Sequence, residues 1–352
     1  MKIAVNARFL DKPFTGIGQY TRHLFVELAK LMPESKFEML VPDKVDIKLP
    51  KNMKQVVISE KRRGIAGVKK TWWEQVQLPE YIKKGDFDLV FFPYPANPWP
   101  KDFYRKGPKV VVTVHDCIPW VDKRYRRGLL STLYHRRTRD AVKKADLVLT
   151  VSESSKKELK KVCKVKKVEV IHNDSAPVYK KKRASKRGDY LLYCGGYDVR
   201  KNVETLMREF KKVHQAHPDL RLVLAGGKVL NDKLYASYDE LFGDAVERTG
   251  FVDEKELAKL YAGCLAFVHL SDMEGFNLPV LEAASCGAPL ILSDIGVHRE
   301  LFGKAAQFFD GELEANVKKV LKDGEKWSKK SLKMAENFSW NKSARLLKDM
   351  IS

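Results

Sequence analysis

The chain has 352 residues, 44% of them apolar, and a net charge of +21. That length exceeds what one hydrophobic core usually organises, and the apolar fraction excludes a disordered chain. No run of about 18 apolar residues occurs, so no membrane-spanning segment is expected. The opening MKIAVNARFL reads as a first strand rather than a signal peptide. Cys117, Cys163, Cys194, Cys264 and Cys286 are scattered without CxxC spacing, which points away from a metal site or disulfide framework and toward a reducing cytoplasm. The charge is uneven. Residues 1–176 carry 37 Lys/Arg against 20 Asp/Glu, residues 177–189 carry 6 against 1, and residues 190–352 carry 23 against 24.

Both halves alternate short apolar runs with amphipathic stretches, the pattern of parallel sheets covered by helices. In the first half, strands are predicted at 3–6, 37–41, 55–58, 89–92, 110–114, 147–150 and 168–171, with helices at 19–32, 68–82, 129–144 and 154–163. In the second half, strands are predicted at 190–194, 220–225, 245–249, 265–270, 289–292 and 306–309, with helices at 202–214, 253–262 and 279–286. The reading is an α/β chain of two doubly wound domains facing across a cleft, joined by a basic linker at 177–189 that lacks apolar periodicity.

The chemistry-bearing motifs each follow a predicted strand. Thr15-Gly16-Ile17-Gly18-Gln19-Tyr20 comes after the first strand; Gly16 and Gly18 allow a close phosphate, though a tight turn needs the same glycines. His115-Asp116 caps the strand 110–114, as a ligand contact or as a local turn. Gly195 to Asn202, reading GGYDVRKN, places Arg200 and Lys201 at a helix start beside glycines, which suits a diphosphate. The most informative stretch is EGFNLPVLEA, from Glu274. Pro279 suits a first helical turn, and the amides of Gly275, Phe276, Asn277 and Leu278 surround the positive end of that helix. Glu282 falls in the first turn and Glu274 on the loop. Carboxylates beside an anion site imply a ligand with hydroxyls as well as phosphate, a sugar nucleotide. Asp86-Phe87-Asp88 has a metal-binding spacing but precedes its strand, at the end away from the expected cleft, so it reads as a solvated loop and no metal is expected.

The order TGIGQY, TVHD, VSESS, GGYDVRKN, LVLAGG, TGFVDEKELAKLY and SDMEGFNLPVLEAASCGAPLILSD resembles the retaining glycosyltransferases of family 4, bacterial mannosyltransferase-like members in particular. The resemblance covers nearly the whole chain. It implies the GT-B fold, with an acceptor-side domain at 1–176, a nucleotide-sugar domain at 190–337 and a last helix, 338–352, crossing back to the first domain. It implies that Glu282 binds the ribose diol, that Glu274 lies by the donor sugar, and that Arg200 and Lys201 neutralise the diphosphate. The amides of Gly275 to Leu278 and the Gly16–Gly18 loop would assist. Phe251 and Val252 would sit near the base, and His115 would face the transferred sugar. Asn277 stands where that family commonly has glycine, and Val297-His298-Arg299-Glu300 replaces a proline-containing stretch. The implied activity is retaining, metal-independent transfer of a hexose, mannose from GDP-mannose, to a glycan or polyprenyl-linked acceptor in polysaccharide or cell-envelope synthesis. His115, Glu274, Lys201 and Arg200 are the expected catalytic group, with no cofactor beyond the donor itself.

The basic first half carries cations at Lys61-Arg62-Arg63, Lys69-Lys70, Arg105-Lys106, Lys123 to Arg127 and Arg136 to Arg139, interleaved with Trp72, Trp73, Tyr125, Leu129 and Leu130. That mixture fits the anionic inner face of a membrane, with a solvated basic surface as the plainer reading. A nucleic-acid-binding protein is the other class compatible with +21, but no recognised motif is present and the charge does not fall on one helix. Epimerase or phosphorylase chemistry on the same fold is the enzymatic alternative.

Overall fold

The computed structural model describes residues 1–60, 66–96, 98, 103–125, 128–181, 187–227 and 242–352. The chain forms two compact units, Met1–Asn173 with Ser339–Ser352, and Asp174–Phe338. The first unit is built on β1 (Lys2–Asn6), β2 (Lys36–Val41), β3 (Met53–Val57), β4 (Leu89–Phe92), β5 (Lys109–Val114), β6 (Leu147–Thr150) and β7 (Glu169–Val170). All pair in parallel in the order β3-β2-β1-β4-β5-β6-β7. The second unit is built on β8 (Tyr190–Cys194), β9 (Arg221–Ala225), β10 (Val246–Gly250), β11 (Ala266–His269), β12 (Leu290–Ser293) and β13 (Ala306–Phe309), again parallel, ordered β10-β9-β8-β11-β12-β13. Each sheet is doubly wound: the chain runs outward on one side of its first strand and then returns to fill the other.

Strands covered on both faces must be apolar throughout, and inner strands such as β4 (LVFF) and β8 (YLLYC) are, whereas the edge strands β3 and β10 carry Lys54, Gln55, Glu247 and Arg248. Val90, Val110, Val112 and Val148 of the first sheet share a core with Trp73, Leu78 and Leu159 from covering helices. Leu191, Leu222, Leu224 and Val268 of the second pack with Leu206, Phe210, Val317 and Val320. Helix starts follow the cap chemistry of the sequence. Thr15 opens Gly16–Leu31, Ser152 opens Glu153–Cys163, Asp253 opens Glu254–Gly263 and Ser339 opens Trp340–Ile351, each through a side-chain oxygen accepting a backbone N–H.

Several expectations change. The units divide at 173/174, not within the basic stretch 177–189. Pro177–Lys180 is a short helix whose Tyr179 is buried and packs edge-on against Tyr261, so an aromatic anchor ties the start of that stretch to the second unit. Residues 182–186 of it lie outside the described residues. The expected helix 68–82 is Ala66–Trp72, a π-helical turn Trp73–Gln77 and Leu78–Lys84. In it Trp73 is fully buried, its Nε1 donating to the Ile58 carbonyl at 2.6 Å, so this ring is core and no part of an interfacial surface. A long helix, Leu313–Ala335, was not legible as one: it breaks at Asp323, and its buried face is Leu313, Val317 and Val320 before the break but Ser331, Met334 and Ala335 after it. Helix Trp340–Ile351 belongs to the first unit, where Trp340 stacks on His23, Asn341 donates to Glu27 at 3.2 Å and Ser343 donates to the His172 carbonyl at 2.7 Å.

Candidate functional site

In doubly wound sheets ligands bind beyond the carboxyl ends of the strands, where the order of winding reverses. In the second unit that point lies between β8 and β11. The loop after β8 begins Gly195-Gly196. Gly195 donates to the Ala225 carbonyl at 3.0 Å, and a Cβ on Gly226 would meet the Gly195 carbonyl at 2.0 Å, so two loops cross at a distance only glycine permits. Asp198 then accepts from the Arg200 N–H, a one-turn helix Val199–Lys201 forms, and Asn202 turns left-handed at φ 54° into helix Val203–Ala216.

Residues from the loop after β11 close on this turn. The Asp272 amide donates to the Arg200 carbonyl at 2.8 Å. Arg200 Nη1 donates to the Met273 carbonyl at 3.0 Å and to Glu274 Oε2 at 2.8 Å, and Lys201 Nζ reaches Glu274 Oε1 at 2.6 Å. One carboxylate thus bridges two cations, each oxygen holding one. The Lys201 and Glu274 side chains are only 12% and 7% exposed. Burial alone would raise the Glu274 pKa, but Lys201 and Arg200 outweigh it and hold the group at about 2. Arg200 Nε also lies 3.8 Å from the more exposed Asp198 carboxylate, so the two cations face one buried and one half-exposed carboxylate, set close before helix Leu278–Ser285, whose Pro279 occupies its first turn. The two cations and the positive start of the helix are groups that suit an anion.

The other expected residues of this unit take different positions. Phe276 is buried and packs edge-on against Phe338, and Leu278 is buried, so these two can serve a ligand only through their backbone. Gly275 is buried between Glu274 and Phe276. Asn277 adopts φ 76°, the left-handed conformation that glycine takes at least cost and asparagine next. Glu282 is the fifth residue of its helix, one residue further in than the sequence suggested. It is 6% exposed and accepts from Tyr261 Oη at 3.2 Å; burial raises its pKa to about 7, against the weaker lowering effect of that hydrogen bond. Phe251 follows β10 with its ring 67% exposed, and Val252 beside it is half-buried.

In the first unit, His115 directly follows β5. Its Nε2 lies 2.8 Å from the Pro93 carbonyl and its ring packs edge-on against Tyr20. A carbonyl only accepts, so Nε2 carries the proton and Nδ1 keeps its lone pair. Desolvation lowers the His115 pKa to about 4, which makes the ring neutral. The Gly18 amide donates to its own N-cap, Thr15 Oγ1, at 3.1 Å, and a Cβ at Gly18 would meet the Lys12 carbonyl at 2.2 Å. Gly18 therefore answers to local packing, whereas Gly16 is exposed at the first helical position. Asp88 accepts from the Lys2 amide at 2.7 Å, and Asp86 takes φ 47° before β4. No cluster of three or more His, Cys, Asp or Glu able to hold a metal ion occurs among the described residues.

Sequence reasoning passed over His269 and met His298 only within the departing stretch Val297–Glu300; both are fully buried. The available signal was the one used for His115: a histidine ending an apolar strand, here AFVH of β11. On the basic side, Leu129 is 83% exposed and Arg136 and Arg137 are exposed on helix Gly128–Val142. Lys61-Arg62-Arg63, Arg126 and Arg127, and the side chains of Arg105, Lys106 and Leu130, lie outside the described residues. No described helix is long and apolar enough to cross a membrane.

Comparison with known proteins falls in line with this geometry. Residues 15–173 match the family described as Glycosyltransferase Family 4, and residues 176–341 match Glycosyl transferases group 1. The chain is 25% identical to an O-antigen chain mannosyltransferase B of Escherichia coli, over 97% of this chain and 96% of that one. It is 25% identical to an O-antigen chain mannosyltransferase of Salmonella typhimurium, over 91% and 90% of the two chains. Among solved structures, a sucrose-phosphate synthase from Thermosynechococcus elongatus superposes with a TM-score of 0.78 at 19% identity, covering 99% of this chain and 98% of that one. The fold is that of the GT-B glycosyltransferases.

Proposed function

We propose that this chain, which belongs to the family 4 and group 1 glycosyltransferases, moves a hexose from a nucleoside-diphosphate sugar to a glycan or polyprenyl-linked acceptor, with mannose as the hexose and GDP-mannose as the donor. The observation that carries the reading is the Arg200–Glu274–Lys201 group at the switch point of the second sheet. In the reaction the diphosphate leaves with growing negative charge. Arg200, Lys201 and the start of helix Leu278–Ser285 offset that charge without a metal ion. Glu274 holds the two cations apart at fixed positions and keeps lone pairs for a donor-sugar hydroxyl. Glu282 faces the ribose diol, and Phe251 and Val252 face the base.

The anomeric carbon becomes oxocarbenium-like as the bond to phosphate lengthens. Double displacement would need a carboxylate on the far face of the sugar, and the resemblance to the retaining family 4 enzymes favours the other course. Same-face attack is the consistent course: the acceptor oxygen bonds to the anomeric carbon, the bond to phosphate breaks, and a departing phosphate oxygen takes the acceptor proton. The donor's configuration is retained. The exposed basic and aliphatic face around Leu129, Arg136 and Arg137 supports an acceptor carried on an anionic membrane.

The decisive experiment measures transfer from GDP-mannose, GDP-fucose, UDP-glucose and UDP-N-acetylglucosamine to a polyprenyl-diphosphate glycan, with products read by mass spectrometry. Lys201→Ala is expected to lower turnover by about 100-fold or more, the scale of losing one preorganised charge at a transition state, while thermal unfolding remains cooperative. Near-wild-type turnover in that variant overturns the site. Epimerised or phosphorolysed donor in place of a glycosylated product overturns the activity.

A further inference from the structure

Asn277 is 5% exposed, sits at φ 76°, and directs its carboxamide away from solvent into a pair of buried imidazoles. Its Nδ2 lies 2.9 Å from His298 Nε2 and 3.1 Å from His269 Nδ1. The proton positions follow from one neighbour. His298 Nδ1 lies 3.0 Å from the Ser293 carbonyl, which only accepts, so Nδ1 carries the hydrogen and Nε2 the lone pair. The amide nitrogen therefore faces the rings, and its two N–H groups go one to each. His269 is then the tautomer protonated at Nε2, and its ring stacks on Tyr193 at 5.4 Å. Ser293 Oγ donates to the Ser271 carbonyl at 2.5 Å, which ties β12 to the chain just after β11.

We infer that this His269–Asn277–His298 bridge is a positioning device for the anion-binding loop: it fixes the left-handed turn at Asn277 and with it the backbone from Glu274 to Leu278. A left-handed position occupied by glycine has a backbone free to leave that conformation; here a side chain with two buried acceptors pins it. The pin reaches three parts of the second unit, since His269 ends β11, His298 sits in helix Gly296–Phe302 and Asn277 begins helix Leu278–Ser285. Asn277 and His298, which stand apart in the sequence, thus act as one feature. Neither imidazole needs to touch the ligand. The inference rests on the donor reading of this loop.

The test is a double-mutant cycle on Asn277→Gly and His298→Ala, with His298→Gln as the conservative variant. Binding of GDP and UDP is measured by calorimetry and the donor KM and kcat by transfer assay. Asn277→Gly retains a residue suited to φ 76°, so its fold is kept while the pin is lost. Each single variant is expected to weaken nucleoside-diphosphate binding and raise the donor KM about tenfold, with kcat changed less than threefold. The double variant should be no worse than the worse single one, and His298→Gln, whose amide oxygen can accept from Asn277, should recover part of the loss. Losses that multiply in the double variant, or unchanged donor affinity in Asn277→Gly, overturn the pin while leaving the donor reading intact. Failure of the wild type to bind either nucleoside diphosphate overturns both.

Discussion

Glu282 and Glu274 are two carboxylates of one loop-and-helix segment with opposite electrostatic fates. Glu274 is buried but doubly paired, so it stays ionised with a pKa of about 2. Glu282 is buried against a phenol, and desolvation carries its pKa from 4.5 to about 7. The consequence for stability has a definite sign. A carboxyl whose pKa rises on folding binds its proton more tightly in the native state, so its contribution is full below about 4.5 and is lost as pH rises through about 7. Replacing it by a neutral isostere removes that loss. Glu282→Gln is expected to unfold at a higher temperature than the wild type at pH 8, by an amount worth about 1–3 kcal/mol, and the difference should vanish near pH 4.5. Donor turnover should fall in the same variant, because a carboxamide grips a diol less strongly than a carboxylate. Thermal unfolding across pH 4.5 to 8.5 checks the first statement; a Tm difference independent of pH would contradict it.

At the level of elements, the two glycines of the first helix separate packing from function. Gly18 lies where a Cβ would meet the backbone carbonyls of Lys12 and Phe9 at 2.2 and 2.7 Å. Gly16 is exposed at the helix start. Gly18→Ala should therefore destabilise the fold by about 1–3 kcal/mol, the usual cost of forcing a methyl into a filled space. Gly16→Ala should leave stability within about 0.5 kcal/mol and act, if the loop meets phosphate, on transfer alone; denaturant unfolding and donor kinetics measured on both variants check the split. The same pair shows how far the sequence was readable. Strand positions such as Leu89–Phe92, Leu147–Thr150 and Tyr190–Cys194 followed directly from apolar runs, since strands buried on both faces leave no other pattern. The partners in space were a different matter. The pairing of Glu274 with Arg200 and Lys201 joins residues 73 and 74 positions apart, and periodicity carries no record of it. Trp73 read as an interfacial aromatic because its neighbours Lys69, Lys70 and Trp72 are surface types, whereas the π-helical turn rotates its ring into the core. His269, and the pairing of His298 with Asn277, left no trace because a buried neutral histidine looks, in sequence, like any polar residue at a strand end or on a helix.

Taken as a whole, the molecule divides its charge as it divides its chain. Residues 1–176 hold an excess of 17 positive charges while residues 190–352 are close to neutral. Fold does not require this, because the cations at Arg136 and Arg137 are exposed and Leu129 beside them is 83% exposed. A long-range positive field on one half raises the local concentration of anionic partners and is screened by salt within about 10 Å at 0.1 M. An anionic bilayer adds about 1 kcal/mol for each basic residue brought to its surface, so a handful of such residues gives reversible attachment, and an exposed leucine adds apolar contact. The whole protein should therefore sediment with phosphatidylglycerol vesicles at low ionic strength, release at about 0.5 M salt where the screening length falls below about 5 Å, and ignore phosphatidylcholine vesicles. Joint replacement of Leu129, Arg136 and Arg137 by serine should shift the release to lower salt while leaving transfer to a water-soluble acceptor unchanged. Equal sedimentation with both kinds of vesicle would mean that the charge serves solubility and not attachment; the acceptor would then be met in solution, and the division of charge would carry no functional weight.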